Sequence, residues 1–330
     1  MRILITGCSG FIGKNLLEQA VNKDSYEIVG MARNKVKVQK FEDQGVEIRY
    51  ADLMKPESLK GITRDVEVVV HLAALMRFHG SWDALYRHNV EGTKLVAEDA
   101  MKQGVRHFIY SSSTEAIGPV EAIPADEKAP YNPTYLYGKT KQLSEIWLNR
   151  KKEEVGLPVT VMRPTGVFGP GDLYVGLSVV RAIAQGKLKI LPGKGDTFIH
   201  FTYVNDIVQG FLRVIDAPQK SIGETFNIAS DDYHTYKDIF TIIAHILGVP
   251  PPSRSAPMWL AKTYLAYVEW RDRRKQVDDF VMHPSIVDDM KTNRAYSNVK
   301  AKCVIGFRPE YSYQRGMKKT IKWYKENKLI

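Results

Sequence analysis

Arg2-Ile-Leu-Ile-Thr6-Gly7-Cys8-Ser9-Gly10-Phe11-Ile12-Gly13 opens the chain, and the fold is read outward from it. Arg2 to Thr6 is rich in branched apolar residues and predicts a short buried strand; Phe11 to Val21 then has the apolar spacing of a helix. Between them stand Gly7, Gly10 and Gly13. In a strand–turn–helix context the first glycine makes the tight turn, and the second lets a pyrophosphate approach the backbone. The third lets helix and strand pack closely, while the helix N-terminus offers its N–H groups to the anion. Glycine spacing alone is a weak signal; the flanking strand and helix give it weight.

Strand-like runs recur at Glu27 to Met31, Val46 to Tyr50, Val66 to Leu72, Arg106 to Ser111 and Pro158 to Met162. Helical stretches separate most of them, notably Trp82 to Gln103 and Tyr135 to Lys152. Such alternation predicts an α/β fold, a doubly wound parallel sheet with helices on both faces. Val68-Val-Val70 reads as a central strand buried on both sides. After Arg163-Pro164 glycines, prolines and aromatics become dense (Gly166, Gly169, Pro170, Gly171, Gly176), and the helical segments Tyr236 to Leu247 and Tyr311 to Asn327 lack regular strands after them. We therefore expect a dinucleotide-binding domain over 1–165, to which the chain returns around 200–228, and a smaller C-terminal α+β substrate lobe over 166–330, with a cleft between them.

The totals fit this plan. A chain of 330 residues, 44% hydrophobic and 25% charged, is ordinary for a soluble protein with one large domain and an appended lobe. Two cysteines, Cys8 and Cys303, build no disulfide framework, and the apolar run Ile3 to Ile5 is too short for a cleaved signal, so a reducing cytoplasm is the expected location. The net charge of +10 is spread along the chain with no basic module of interleaved aromatics, which favours small anionic ligands over nucleic acid. No apolar run approaches the ~20 residues that cross a bilayer. The nearest, Ala256 to Glu269, is interrupted by Lys262 and reads as a helix covering the core or a ligand pocket rather than a membrane-surface helix. The eight histidines and two cysteines show no metal-ligand spacing, and no metal is expected.

Tyr135-Leu-Tyr137-Gly138-Lys139-Thr140-Lys141 holds the candidate acid–base chemistry, twice over. A free tyrosine, with a pKa of ~10, is a poor base at neutral pH and needs a cation nearby. Each tyrosine here has a lysine four residues on, hence on its own helix face. Residues two apart on a helix point about 200° apart, so only one pair serves a given site; the spacing leaves both open.

Thr6-Gly7-Cys-Ser-Gly10-Phe-Ile-Gly13 resembles the TGxxGxxG of the extended short-chain dehydrogenase/reductase family, and further segments follow in the family's order. These are Ala51-Asp52-Leu53, His71-Leu72-Ala73-Ala74, Asn89-Val-Glu-Gly92-Thr93, and Tyr137-Gly-Lys-Thr-Lys141 with Glu145; the likeness runs to Val304-Ile-Gly306-Phe307-Arg-Pro309. It implies a Rossmann fold, a nicotinamide dinucleotide and a homodimer joined through the helices near Trp82 to Gln103 and Tyr135 to Lys152. It selects Tyr137 with Lys141, because Gly138, Thr140 and Glu145 complete the family's Y-G-x-S/T-K-x-x-x-E, with Gly138 clearing space for cofactor or substrate. Tyr135 then becomes a wall of the substrate cleft or a packed ring, and Lys139 a solvated charge. Aligning Gly118 with the glycine after the family's serine-bearing strand makes Ser113 the catalytic hydroxyl, with Thr114 in its place if the register slips by one. Ser111 and Ser112 become strand-end hydrogen-bonders, and Asn89 the asparagine that helps hold Lys141 and its water. The implied dinucleotide contacts are Gly7, Ser9, Gly10, Phe11, Ile12, Gly13, Asp52, Leu53, Leu72, Ala73, Ala74, Pro164 and Val167, with Tyr137 and Lys141.

Val29-Gly-Met31-Ala-Arg33-Asn-Lys35 ends the second strand without a carboxylate to hold a ribose 2′-OH, whereas Arg33, with Lys35, Lys37 or Lys40, suits a 2′-phosphate. NADP is therefore expected over NAD. Asp52 resembles the contact to the adenine edge, or else caps the turn before Pro56. Nucleotide-sugar members of the family carry R-P-x-N-V-Y-G-P and R-D-F-x-x-V-x-D. Here Thr165 stands in the asparagine position and Ile199 in the arginine position, which removes a bidentate phosphate clamp. Thr114-Glu115 replaces the dehydratase Asp-Glu pair, and Phe108 to Pro119 looks like the 3β-hydroxysteroid dehydrogenase and dihydroflavonol reductase branch. Met258-Trp259 to Trp270 suits an apolar substrate wall. The expected function is hydride transfer between a nicotinamide and an alcohol or carbonyl group of a non-nucleotide small molecule. Two alternatives stand beside it. One is an NAD-dependent nucleotide-sugar epimerase or dehydratase, clamped by Arg77, His79, Arg181 or Arg294. The other is a non-catalytic dinucleotide sensor, against which the intact Ser113, Tyr137 and Lys141 set argues.

Overall fold

In the computed structural model, which describes residues 1–78, 80–272 and 283–330, six strands fall close to the predicted runs: β1 (Arg2–Thr6), β2 (Glu27–Ala32), β3 (Glu47–Tyr50), β4 (Val68–His71), β5 (His107–Ser111) and β6 (Val159–Pro164). With Thr225–Ile228 they make one sheet of seven strands, ordered Thr225–Ile228, β6, β5, β4, β1, β2, β3, every pairing parallel. β1 lies between β2 and β4, with Leu4 opposite both Val29 and Val69. Its Ile3, Leu4 and Ile5 are wholly buried, as a strand covered on both faces must be. Leu16 and Leu17 of the helix Phe11–Ala20, with Ile207 and Phe211 of Val204–Asp216, cover one face. Val96 and Ala97 of Gly92–Lys102, with Leu148 of Leu136–Val155, cover the other. Because strand order reverses between β1 and β4, the carboxyl ends of these strands border a crevice, the usual ligand position in such a sheet.

A second apolar cluster forms where Val175–Ala184, Tyr236–Leu247 and Tyr313–Glu326 pack together through Leu177, Ile243, Met317 and Tyr324. Short strand pairs tie this lobe together: Gly166–Phe168 with Phe201–Tyr203, Ile190–Pro192 with Arg254–Ala256, and Phe198–Ile199 with His234–Thr235. Tyr236–Leu247 starts at a capping box of Thr235 and Asp238 and stops at left-handed Gly248, so Tyr236 is held at a fixed helix start.

The structure departs from expectation in three places. Trp82 to Gln103 is not one continuous helix but Trp82–Tyr86, a π-helical turn Arg87–Glu91, and Gly92–Lys102. Tyr135 is not inside its helix; it precedes Leu136–Val155 in extended conformation. Met258–Asp272 is helical yet forms no cleft wall: it packs on the outer side of Ser285–Asp289 and buries Leu265, leaving Trp259, Tyr264, Tyr267 and Trp270 exposed. Ile286 of Ser285–Asp289 takes the wall position instead. None of the described helices is long and apolar enough to cross a membrane.

Candidate active site

Gly7 adopts φ +68°, and a Cβ there would stand 2.8 Å from the backbone of Ala73; a Cβ on Gly13 would overlap the carbonyl oxygen of Gly7. The turn is thus pressed against both β4 and its own helix, and only glycine fits. The helix Phe11–Ala20 begins at Gly10 with no side-chain cap and no acidic residue in its first turn, so its leading N–H groups remain for an anion. Gly7, Gly10, Phe11, Ile12, Gly13, Leu72, Ala74, Pro164 and Val167 line a cleft of about 390 Å³ together with Ser113, Tyr137 and Lys141. These residues fit the pyrophosphate and nicotinamide half of a dinucleotide.

Five expected contacts lie outside that cleft: Ser9, Arg33, Asp52, Leu53 and Ala73. Ala73 backs Gly7, and its N–H, like that of Leu72, donates to Thr6 Oγ1 at 3.1 Å. Leu53 is buried against Gly92. Asp52 Oδ1 accepts from the Met54 N–H at 3.0 Å, the turn-capping role, while Arg33 Nη1 sits 3.9 Å from the same oxygen. His71 bridges Thr6 and Thr93 through its two ring nitrogens, and burial, aided by the Lys141 charge, pushes it down to about 3, so it is neutral.

Lys141 Nζ donates to the Ser111 carbonyl at 2.6 Å and lies 5.7 Å from the centre of the Tyr137 ring. Ser113 Oγ accepts the Glu115 N–H at 3.1 Å, a bond that uses its oxygen and leaves its proton to donate. Asn89 does not touch Lys141: its side chain donates to Thr140 Oγ1 and the Leu75 carbonyl, both at 3.0 Å, and accepts from Leu75 N–H at 2.7 Å. It braces the residue before Lys141 against the loop after β4. Gly138 also has a different reason from the expected one, since a Cβ there would overlap the Glu115 carbonyl; what approaches is the loop that carries Ser113. Lys139 is exposed and bonds Gln142, and Ser112, just past the end of β5, donates its hydroxyl inward to Glu145. Thr114, the alternative hydroxyl, donates to the Pro164 carbonyl at 3.3 Å.

Burial pushes the Tyr137 phenol above the ordinary tyrosine range, with the Glu115 charge adding to it, and pulls Lys141 down to about 7, with the Glu145 charge opposing. Between about 7 and the ordinary lysine value of 10.5 the unfolded chain therefore holds a proton that the native chain lacks, and stability must rise with pH across that window. Denaturant titrations of the cofactor-free chain at pH 7 and pH 9, compared with Lys141→Met, are expected to show this rise only in the wild type. Equal pH slopes in the two proteins would contradict it.

The outer part of the cleft is built by residues that the sequence did not mark: Phe78, Asp172, Tyr236, Ile286, Asp289 and Tyr296. Phe78 meets Tyr135 edge-on at 4.9 Å, and Ile199 and Phe201 continue the apolar wall. The capping pair before Tyr236 was a readable signal of a fixed helix start; nothing local marks Asp289 or Tyr296. Tyr135 lines the cleft as expected and gives its hydroxyl to Asp289. Arg294 is also in the cleft, but its guanidinium is committed: Nη1 donates to both Glu115 oxygens at 3.0 and 3.1 Å, and Nη2 to Asp289 at 3.0 Å and Thr134 at 2.8 Å. Burial raises Asp289 and Asp172 to about 6 each. Arg181 faces away, donating to the Leu329 carbonyl at 2.8 Å, and Arg77 is exposed outside the cleft. His79 lies outside the described residues. None of the three described clamp candidates is thus placed in the cleft to grip a diphosphate as a free cation.

Residues 3–229 match the sequence model described as the NAD dependent epimerase/dehydratase family. A 3beta-hydroxysteroid-dehydrogenase/decarboxylase of Arabidopsis thaliana is 28% identical, over 96% of this chain and 78% of its own length. A UDP-glucose 4-epimerase of Mycolicibacterium smegmatis is 27% identical, over 98% and 99%. Among solved structures, UDP-glucuronic acid 4-epimerase from Bacillus cereus, in complex with UDP-glucuronic acid and NAD, superimposes with a TM-score of 0.81 at 20% identity, covering 99% of this chain and 100% of that one. The last likeness is one of fold.

Proposed function

The chain belongs to the NAD dependent epimerase/dehydratase family, and from that premise we propose that it is an oxidoreductase moving hydride between a nicotinamide and an alcohol or carbonyl group of an apolar, non-nucleotide small molecule. One observation carries the reading: Ser113, Tyr137 and Lys141 share a cleft whose outer wall is mainly aromatic and aliphatic, with Asp172 and Asp289 set into it, and whose buried arginine is already paired with two carboxylates. A diphosphate there would meet Glu115 and Asp289 before a free guanidinium.

When bound, the nicotinamide supplies or accepts the hydride. Everything else falls to the chain. The Tyr137 phenol gives its proton to the substrate oxygen in reduction and takes it in oxidation, and the Ser113 hydroxyl donates to that oxygen as charge builds on it. A charged Lys141 stabilises the phenolate left behind, an effect strengthened because both groups are buried. Phe78, Tyr135, Tyr236 and Ile286 keep water from the reacting carbon.

NADP(H) is proposed as the coenzyme, because Arg33 follows β2 mostly exposed, with Asp52 at 3.9 Å as its recorded ion partner and no carboxylate on the strand end itself. With a ketone or aldehyde panel, NADPH is expected to be oxidised with a kcat/KM at least about tenfold above NADH, and Arg33→Glu to reverse that order. Turnover of UDP- or dTDP-sugars on tightly held NAD without added coenzyme would instead establish the epimerase or dehydratase reading. Dinucleotide binding with no redox turnover of any substrate would leave the sensor. A homodimer through Gly92–Lys102 and Leu136–Val155, where Ile146 is exposed on the outer side, and a reducing cytoplasmic setting, consistent with free Cys8 and Cys303, complete the proposal.

A further inference from the structure

The helix Met258–Asp272 is apolar on the side that faces away from the protein. At 3.6 residues per turn, Trp259, Trp270, Thr263, Tyr267, Leu260 and Tyr264 fall within an arc of about 140°, opposite buried Leu265. Trp259, Leu260, Tyr264, Tyr267 and Trp270 are between 47% and 68% exposed. A helix that served only to cover the lobe would turn this arc inward, since leaving so much contiguous aromatic surface in water is unfavourable. Its composition, two tryptophans and two tyrosines with no carboxylate on the arc, is that of side chains which settle at a bilayer's headgroup boundary, where a ring is buried and its polar edge stays wet.

Charge indicates the partner. The chain carries a net +10; exposed Lys187 and Lys189 stand just before the strand Ile190–Pro192, and exposed Arg254 of its partner strand, in register with exposed Ile190, leads toward the helix. Lys262, nearer the packed side of the helix, is paired with Asp288 at 2.6 Å and is not part of this set. A second copy of the chain would bring the same cations against these, whereas an anionic lipid surface complements them. We infer that the outward face of Met258–Asp272 docks the protein on the surface of an anionic bilayer, lying in the interface without crossing it. Because this helix packs on Ser285–Asp289, which supplies Ile286 and Asp289 to the cleft, docking would set the apolar cleft beside the membrane. That consequence rests on the function proposed above; the docking itself does not.

The test is co-sedimentation of the full chain with phosphatidylcholine vesicles containing 30% phosphatidylglycerol, and with pure phosphatidylcholine vesicles, beside a Trp259→Ser, Tyr264→Ser, Trp270→Ser triple variant. The wild type is expected to bind the anionic vesicles, at least tenfold more weakly the neutral ones, and the triple variant to lose about tenfold or more while keeping the wild-type circular dichroism and Tm. A single Trp259→Ser variant, expected to lose binding partially, keeps the question answerable if the triple variant misfolds. The inference is overturned by absent binding to anionic vesicles, by equal binding of wild type and variants, or by sedimentation equilibrium showing that the face joins two copies and the substitutions abolish only that association. No measurement here involves turnover, so a failed docking and a failed oxidoreductase reading are told apart.

Discussion

Tyr137→Phe is expected to lower kcat for ketone reduction by about 10² to 10⁴-fold, the usual worth of a positioned acid–base group, while dinucleotide affinity by fluorescence titration stays within about twofold. The ring remains, so the packing of Phe78 against it at 6.2 Å is kept and only the phenolic proton is lost. The distinction between the two tyrosines sharpens the experiment. Tyr135→Phe removes a hydroxyl that is tied to Asp289 and 3.3 Å from Ser285, on the far side of Arg294 from the Ser113 loop, and is expected to change KM more than kcat. If Tyr137→Phe kept wild-type turnover, or if Tyr135→Phe alone abolished it, the assignment of the proton donor would be wrong.

The two tyrosines also show what the sequence carried and what it did not. The inner strands, β1 and β4 above all, were legible because parallel strands buried on both faces are runs of branched apolar residues, a signal that stays local; β3, at the sheet edge, is only partly covered. The glycine turn was legible because backbone contacts at Gly7 and Gly13 forbid any side chain. Gly138 was selected for the wrong reason: the residue that crowds it, Glu115, is 23 positions earlier, and no local pattern announces that approach. Asn89 likewise bonds Thr140, 51 residues away, through a π-helical turn that periodicity cannot distinguish from continuous helix. The outer wall was least legible. Tyr236, the pair Ile286 and Asp289, and Tyr296 come from three separate segments of the lobe, and hydrophobic pattern says which residues avoid water but not which of them meet at one cavity. The same limit misplaced the Met258–Asp272 helix, whose aromatic content was real and whose direction was set by its packing on Ser285–Asp289.

Glu145→Ala is expected to be the most destabilising single substitution near the site, by about 3–5 kcal/mol, because it leaves a buried guanidinium uncompensated. Glu145 is fully buried and Arg163 nearly so; Arg163 Nε donates to both carboxylate oxygens at 3.0 and 3.1 Å, and Tyr131 adds its hydroxyl at 2.9 Å. Replacing both partners together, Glu145→Leu with Arg163→Met, removes the orphaned charge and is expected to cost distinctly less than Glu145→Ala alone. Urea midpoints at constant m-value measure both, and a Glu145→Ala midpoint near that of the wild type would refute the account. The pair also reaches the chemistry. Glu145 lies one turn beyond Lys141, and its charge is what opposes the downward pull of burial on that lysine. A folded Glu145→Gln chain should therefore hold Lys141 less well charged at neutral pH, and its reductase pH profile should fall off at lower pH than that of the wild type. Stability and acid–base competence then depend on one buried carboxylate, four residues after the lysine on the same helix.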